Sequence, residues 1–537
     1  MYDHFSVASR EGHSERNAEP ARKNDMREMT RRGFLESSCQ GAAGLLGAAM
    51  LSGATEAPGK RPNILFAIAD DWSWPHASAY GAPQVNTPHF DRVAREGILC
   101  NNAFTAAPQC SPNRAATLTG RYIWQIAEAG THASIFPDTY PVYTALLEEA
   151  GYHTGFTRKG WSPGDWRRGG WKRNPAGKEY SARKLDEVPA KGMSNTDYAG
   201  NFEAFLDERP EDAPFCFWYG CSEPHRKYEF ESGVEAGKDP EKVPMPEFLP
   251  DDPVVRKDMA DYILEVEWFD THLGRMLKKL EEIGELDNTL IVVTGDNGMP
   301  FPRAKANLYE YGTHVPLAVR WPERIEAGSR TDALISFIDF APTFLEAAGV
   351  SAPETMTGHS QLPAWTGGGP VREQVLTGRE RHTHARYDNL GYPARAIRTE
   401  DYLYIRNFKP ERWPAGDPPN FHDIDGCPTK DLMMENEEYR ELWEMAVGKR
   451  PADELFAVRQ DPACMRNLAE DPAHAETLMK LRKHLMALLT EQGDPRAHGK
   501  GGIWESYPRV SHMRPYLGGF AERGKYNPKY APSGGKQ

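Results

Sequence analysis

Five short apolar runs, separated by helical patterns, constrain this chain most: NILFAIA (63–69), HTGFT (153–157), FCFWYG (215–220), TLIVVTG (289–295) and VPLAVRW (315–321). Runs this short and this apolar read as strands buried on both faces, as in a parallel or mixed sheet covered by helices. Between the third and fourth, Met259, Ile263, Val266, Leu273, Leu277 and Leu280 recur at three-to-four spacing. Residues from about 258 to 283 are therefore expected to form an amphipathic helix ending near Gly284. The expected class is α/β. Polar residues follow four of the runs: Asp70-Asp71, Lys159, Glu223-Pro224-His225 and Asp296-Asn297. Open α/β sheets form their sites beyond the carboxyl ends of the strands, so these groups should converge on one edge.

After about residue 385 the character changes. RAIRTEDYLYIRNF has a strand pattern, a polar Pro-rich stretch follows, and AETLMKLRKHLMALLTEQG reads as an amphipathic helix. This predicts a catalytic domain over 61–385, a smaller C-terminal α+β domain over 386–495, and a Gly/Pro-rich tail over 496–537 that is either disordered or wrapped over the body. At the other end, Thr30-Arg31-Arg32-Gly33-Phe34-Leu35 precedes a weakly apolar Ala/Gly stretch, the pattern of a twin-arginine (Tat) export signal. Residues 1–57 are read as that signal and its flanks, and the mature protein is expected to be periplasmic or secreted. That apolar stretch is too short for stable membrane insertion. The balance of 64 Lys and Arg against 77 Asp and Glu, a net charge of -13, argues against a nucleic-acid binder. A polyanionic substrate would have to be met by local positive charge. The seven cysteines, at 39, 100, 110, 216, 221, 427 and 464, are too scattered for a disulfide framework and read as buried thiols.

Asp70, Asp71, Asp296 and Asn297 would supply hard oxygen ligands, which suit Ca²⁺ or Mg²⁺ rather than zinc. Nearby in sequence stands Cys110-Ser111-Pro112-Asn113-Arg114, continued as AATLTGRY. The pentapeptide fits the C/S-x-P-x-R element of the type I sulfatases. NILFAIADDWSW, CSPNRAATLTGRY, GYHTGFTRKGW, SEPHRKYE, TGDNGMPFPRAKANLYEYGTHVPLAVRWP and SFIDFAPTFLEAAGV occur in that family's order, and ELFAVRQDPACMRNLAEDP resembles its closing segment. The chain thus resembles a type I, formylglycine-dependent sulfatase from about residue 61 to 495, and SEPHR and DNGMPFPRAKANLY look most like the heparan N-sulfatase branch.

The resemblance implies an alkaline-phosphatase-like sheet flanked by helices. It implies Asp70, Asp71, Asp296 and Asn297 as Ca²⁺ ligands, with Cys110 completing the metal site and serving as the formylglycine precursor. A separate formylglycine-generating maturase would be a partner. Arg114 and Lys159 match residues that hold the formylglycine, His225 matches a histidine that would protonate the leaving group, and Lys305 matches the sulfate-binding lysine. One place departs. Many members carry His two residues after the lysine matched by Lys159, where this chain has Trp161, so the base that assists sulfate expulsion is open among His132, His76 and a water.

Specificity is read from residue types. From Arg158 to Lys184 nine basic residues stand against two acidic ones, interleaved with Trp161, Trp166 and Trp171; this is either a saccharide-binding loop or a solvated basic one. Trp74 and His76 adjoin the metal pair, and Arg381, His382, His384 and Arg386 lie at the expected domain junction, where pockets form. The expected reaction is hydrolysis of a sulfate ester or sulfamate on a sulfated saccharide. The alternatives are a formylglycine-type phosphodiesterase or phosphonate hydrolase, and a non-catalytic glycan-binding pseudoenzyme.

Overall fold

A computed structural model describes residues 60–510, so the proposed export signal, Cys39 and residues 511–537 lie outside the described residues. The strands in chain order are β1 (Asn63–Ala69), β2 (Ile98–Phe104), β3 (Ser134–Ile135), β4 (His153–Arg158), β5 (Gly164–Asp165), β6 (Lys178–Glu179), β7 (Phe215–Gly220), β8 (Thr289–Gly295), β9 (His314–Arg320), β10 (Ser329–Ser336), β11 (Val375–Arg379), β12 (Ala394–Arg398), β13 (Tyr402–Asn407) and β14 (Asp453–Ala457). Eight form one mixed sheet in the order β10-β2-β9-β8-β1-β7-β4-β6, in which β9 is antiparallel to both neighbours and the other pairings are parallel. Each of the five expected runs is a strand of this sheet.

Period-two alternation assigns the two faces of β1 to two cores. Ile64, Phe66 and Ile68 pack with Phe340 and Phe344 on one face, while Leu65, Ala67 and Ala69 pack with Val266, Phe269 and Leu273 on the other. The helices that precede β8 are α1 (Pro88–Arg95), α2 (Cys110–Thr119), α3 (Tyr143–Glu149), α4 (Tyr198–Asp207), α5 (Ser232–Glu235) and α6 (Pro253–Glu282). Helix α6 begins one turn earlier than its apolar spacing suggests: Asp252 caps it, accepting from the Val254 N–H at 2.8 Å, and Pro253 occupies the first turn.

The second sheet, β11-β12-β13-β14, is antiparallel, and its edge strand β11 lies before residue 386. The tail as far as residue 510 lies on the body: Arg496 pairs with Glu380 at 2.6 Å, Trp504 is buried, and the Ser134 hydroxyl donates to the Pro508 carbonyl at 3.0 Å. Among the described residues all six cysteines are free and buried, and no helix is long and apolar enough to cross a membrane.

Candidate active site

The parallel strands β1, β4, β7 and β8 end on one edge, and β2 runs the same way because two antiparallel pairings, with β9 and then β8, restore its direction. Five loops therefore meet there. Asp71, directly after β1, has φ 74°, a left-handed conformation unusual for a non-glycine residue, and its N–H donates to Asp296 Oδ1 at 3.0 Å. Gly298 follows the other carboxylate loop because a Cβ there would stand 1.9 Å from the Tyr311 carbonyl oxygen. Helix α2 starts at Cys110, which brings its side chain to the same edge.

Ligand atoms of Asp70, Asp71, Cys110 and Asp296 all lie within 4.8 Å of one another, and all four residues are buried. The Cys110 thiol donates to Asp70 Oδ1 at 3.3 Å; its sulfur marks where an oxygen of a formylglycine side chain would begin. Asn297 donates through Nδ2 to Asp71 Oδ1 at 2.6 Å, while its buried Oδ1 has no hydrogen-bond partner. Three carboxylates and an orphaned amide oxygen in a buried cluster fit a hard divalent cation.

Cations surround the cage. Lys159 pairs with Asp70. Lys305 Nζ lies 2.6 Å from Asp71 Oδ2, and Arg114 Nε lies 2.8 Å from Asp296 Oδ2. Arg114 also donates to the Lys159 carbonyl at 2.6 Å, leaving its buried Nη2 unpartnered. Burial opposes ionisation of Asp70, yet Lys159, then His225, Arg114 and Lys305 outweigh it and hold the carboxyl below its ordinary range. Burial and the neighbouring Asp70 charge push Asp296 up, and the same two causes push the Cys110 thiol well up. His225 accepts no proton from the Arg226 carbonyl, so Nδ1 must donate to that oxygen at 2.7 Å, leaving Nε2 turned toward the cage, 3.9 Å from Asp71 Oδ2. A cleft of about 400 Å³ opens beside these groups, lined by Asp70, Arg158, Lys159, Ser194, Glu223 and His225.

Most of the other expected residues are closed to substrate or lie away from the cage, which corrects the reading of residue types for them. Trp161 is fully buried, so no sugar can stack on it; its Nε1 donates to the Ser111 carbonyl at 3.0 Å. Trp74 stacks on His314 at 4.5 Å and lines a different cleft with Arg398 and Arg459. His76 is buried against Tyr262, and burial pushes it down to about 3, so it is neutral and closed to substrate. His132 is only partly buried, 4.6 Å from His382; desolvation, then His382, Arg509, Lys305 and Lys159, hold it well below its usual range. His382 is buried, with Nδ1 3.3 Å from Asp423 Oδ1.

Arg381 is buried and donates to the Tyr507 and Pro508 carbonyls at 2.9 and 3.1 Å, binding the tail rather than a ligand. Arg386 is equally buried, with Nη2 2.6 Å from Asp423 Oδ2. In the basic stretch, Arg173 pairs with Glu148, Lys178 with Glu208, and Arg183 with Glu203, so much of its charge is already matched. One site group was missed: Asp425, whose Oδ2 lies 3.2 Å from Lys305 Nζ.

Comparison with known proteins accounts for this arrangement. The sulfatase family model matches residues 62–350, and the model for the N-sulphoglucosamine sulphohydrolase C-terminal region matches residues 303–446. The N-sulphoglucosamine sulphohydrolase of Homo sapiens is 30% identical over 82% of this chain and 93% of its own length. An ulvan-active sulfatase of Formosa agariphila is 30% identical over 81% of this chain and 76% of its own length. A solved structure, described as a complex with its substrate D-glucosamine-2-N,6-O-disulfate, superposes with TM-score 0.60 at 22% identity, covering 81% of this chain and 99% of that one. The fold is thus the alkaline-phosphatase-like fold of the sulfatases. With the family model covering more than half of the chain and the C-terminal model overlapping its end and extending to residue 446, this protein belongs to the sulfatase family, close to the N-sulfoglucosamine branch, and is a sulfatase.

Proposed function

We propose that the enzyme hydrolyses a sulfate ester or sulfamate on a saccharide, using a formylglycine made from Cys110 and a divalent cation, Ca²⁺ in preference to Mg²⁺. The observation that carries this reading is the shared cage: the side chain of Cys110 lies among three buried carboxylates, with Lys159, Lys305 and Arg114 around them. The names of the relatives, which include an N-sulphoglucosamine sulphohydrolase and an ulvan-active sulfatase, support a saccharide substrate. Asp70, Asp71, Asp296 and Asn297 would hold the cation. When both groups are in place, the hydrated aldehyde supplies an oxygen nucleophile and the cation supplies positive charge beside a sulfate oxygen.

The chain's own residues do the rest. Lys159 and Lys305 offset the negative charge that otherwise shields sulfur, and Lys305 does so from a buried position where such charge counts most. Arg114 ties the α2 helix to the Lys159 loop and to Asp296, which fixes Cys110 relative to the carboxylates. His225, with Nδ1 committed to the Arg226 carbonyl, presents Nε2 to the cleft; as the imidazolium, protonated on both nitrogens, it can give the Nε2 proton to the departing oxygen or nitrogen and is left neutral with its Nδ1–H bond intact. His76 is a buried neutral imidazole and the Trp161 N–H is spent on Ser111, so the base is either a water or His132, which is only partly buried and has Lys305 and Lys159 among its charged neighbours. Export by the twin-arginine route to the periplasm or beyond, after maturation by a formylglycine-generating partner, completes the reading.

The test is initial-rate release of sulfate from N-sulfoglucosamine, N-acetylglucosamine 6-sulfate, N-acetylgalactosamine 6-sulfate and ulvan oligosaccharides, alongside an aryl sulfate and an aryl phosphate diester. At least one sulfated saccharide is expected to be turned over faster than the diester. Faster turnover of the diester than of every sulfate would replace this reading with a phosphodiesterase.

A further inference from the structure

Asp425 is an odd group to find where a sulfate binds. It lies between β13 and the helix Pro428–Glu435, outside the strand-end loops that supply the rest of the machinery. Its carboxylate, that of Asp71 and a ring nitrogen of His225 nonetheless come within 4.8 Å of one another. Lys305 Nζ already stands between the two acids, 2.6 Å from Asp71 and 3.2 Å from Asp425, so a second metal ion has no room to use the trio. The loop is pinned two residues away, where Asp423 meets Arg379 at 2.9 Å and Arg386 at 2.6 Å, and Lys430 donates to the Ile424 carbonyl at 3.0 Å. Asp425 is thus held in place, with Oδ2 sealed against Lys305 and 29% of its side chain open.

A carboxylate beside an anion site repels the anion it serves, and it can only accept hydrogen bonds. What it gains must come from a donor elsewhere on the substrate. We propose that Asp425 is a specificity-determining residue that accepts a hydrogen bond from a hydroxyl or amino group on the sugar ring carrying the sulfate. The proposal rests on the sulfatase reading above. Its place beside His225 puts the accepted donor close to the leaving atom, and its charge rejects a ring that carries a carboxylate or a second sulfate at that position.

The test uses the matured, cation-loaded enzyme and three kinds of substrate: the saccharide of the panel that the wild type cleaves fastest, its monodeoxy or deamino analogues, and 4-nitrophenyl sulfate, which has no sugar donor. A site built to accept a substrate hydroxyl discriminates strongly against the analogue lacking it. Asp425→Asn should lower kcat/KM on the saccharide by about 100-fold or more, and by at least about tenfold more than on the aryl sulfate, which registers only the lost pairing with Lys305. One analogue should cost the wild type a similar factor and cost Asp425→Asn almost nothing further. Equal losses on saccharide and aryl sulfate, or the absence of any such analogue, would overturn the proposal; the analogue series on the wild type decides it even where the variant does not fold. Sulfate release from none of the substrates would instead overturn the sulfatase reading.

Discussion

The indole Nε1 of Trp161 donates to the carbonyl of Ser111 at 3.0 Å, joining the loop after β4 to the first turn of the helix that begins at Cys110. The side chain is fully buried among Phe136, Phe156 and neighbouring core residues. A residue that touches the backbone next to the reactive position acts by placing it. Trp161→Phe keeps most of the packing and removes the hydrogen bond, so it should cost about 1 kcal/mol of stability. Small misplacement of a reactive group is expensive, so kcat should fall roughly tenfold with KM nearly unchanged. Trp161→Ala should cost about 3–5 kcal/mol. Denaturant melts and steady-state kinetics on the same preparations check both.

Arg114 and Asp296 form a fully buried ion pair, and Arg114 holds two carbonyls of the Lys159 loop as well. Arg114→Ala leaves a buried carboxylate without its partner and should cost about 3–5 kcal/mol. Lysine cannot reproduce the fork, so Arg114→Lys should recover much of the stability and little of the rate. Thermal melts paired with kcat distinguish the two effects.

The core and the second sheet are joined by Glu310 and Arg398, whose side chains meet at 3.0 Å. Burial opposes ionisation of Glu310, but Arg398 and then His314 hold its pKa down to about 2, against 4.5 for an unperturbed glutamate. A depressed carboxylate stabilises the fold above its unfolded pKa and loses that contribution as pH falls toward the folded value. Stability should therefore drop by about 3 kcal/mol from this group between pH 4.5 and about 2. Glu310→Gln should flatten that part of the profile, which urea titrations across the range would show.

The unpartnered Asn297 oxygen and the clustered carboxylates lead to an expectation independent of turnover. After chelation, adding Ca²⁺ to about 100 times its Kd should stabilise the protein by about 2.7 kcal/mol. Asp71→Asn should abolish the response. Calorimetry with and without Ca²⁺ tests this, and an unchanged Tm in the wild type would contradict the cage assignment.

Much of the sheet was legible because its strands are continuous apolar runs: Asn63–Ala69, Phe215–Gly220 and Thr289–Gly295 are observed as they read. Strand β2 was missed because ILCNNAF carries two adjacent asparagines, and β10 because its first half is polar and partly exposed at the sheet edge. Residues following apolar strands converge on one edge by topology, which is why the cage could be read from order along the chain. Arg381, His382 and Arg386 could not be read this way. A cluster of basic residues looks solvated in sequence, and only the fold shows it buried against Asp423 and the tail carbonyls. Asp425 lies in a polar stretch without periodicity, and its meeting with Lys305 arises from tertiary contact alone.

The central claim is that Cys110 acts as formylglycine and not as a thiol, and mass spectrometry of the Cys110 peptide from sulfate-releasing enzyme tests it most directly. After co-expression with a formylglycine-generating maturase, the account predicts an aldehyde at Cys110 in a fraction of the protein that tracks specific activity. An intact thiol in fully active enzyme would contradict it.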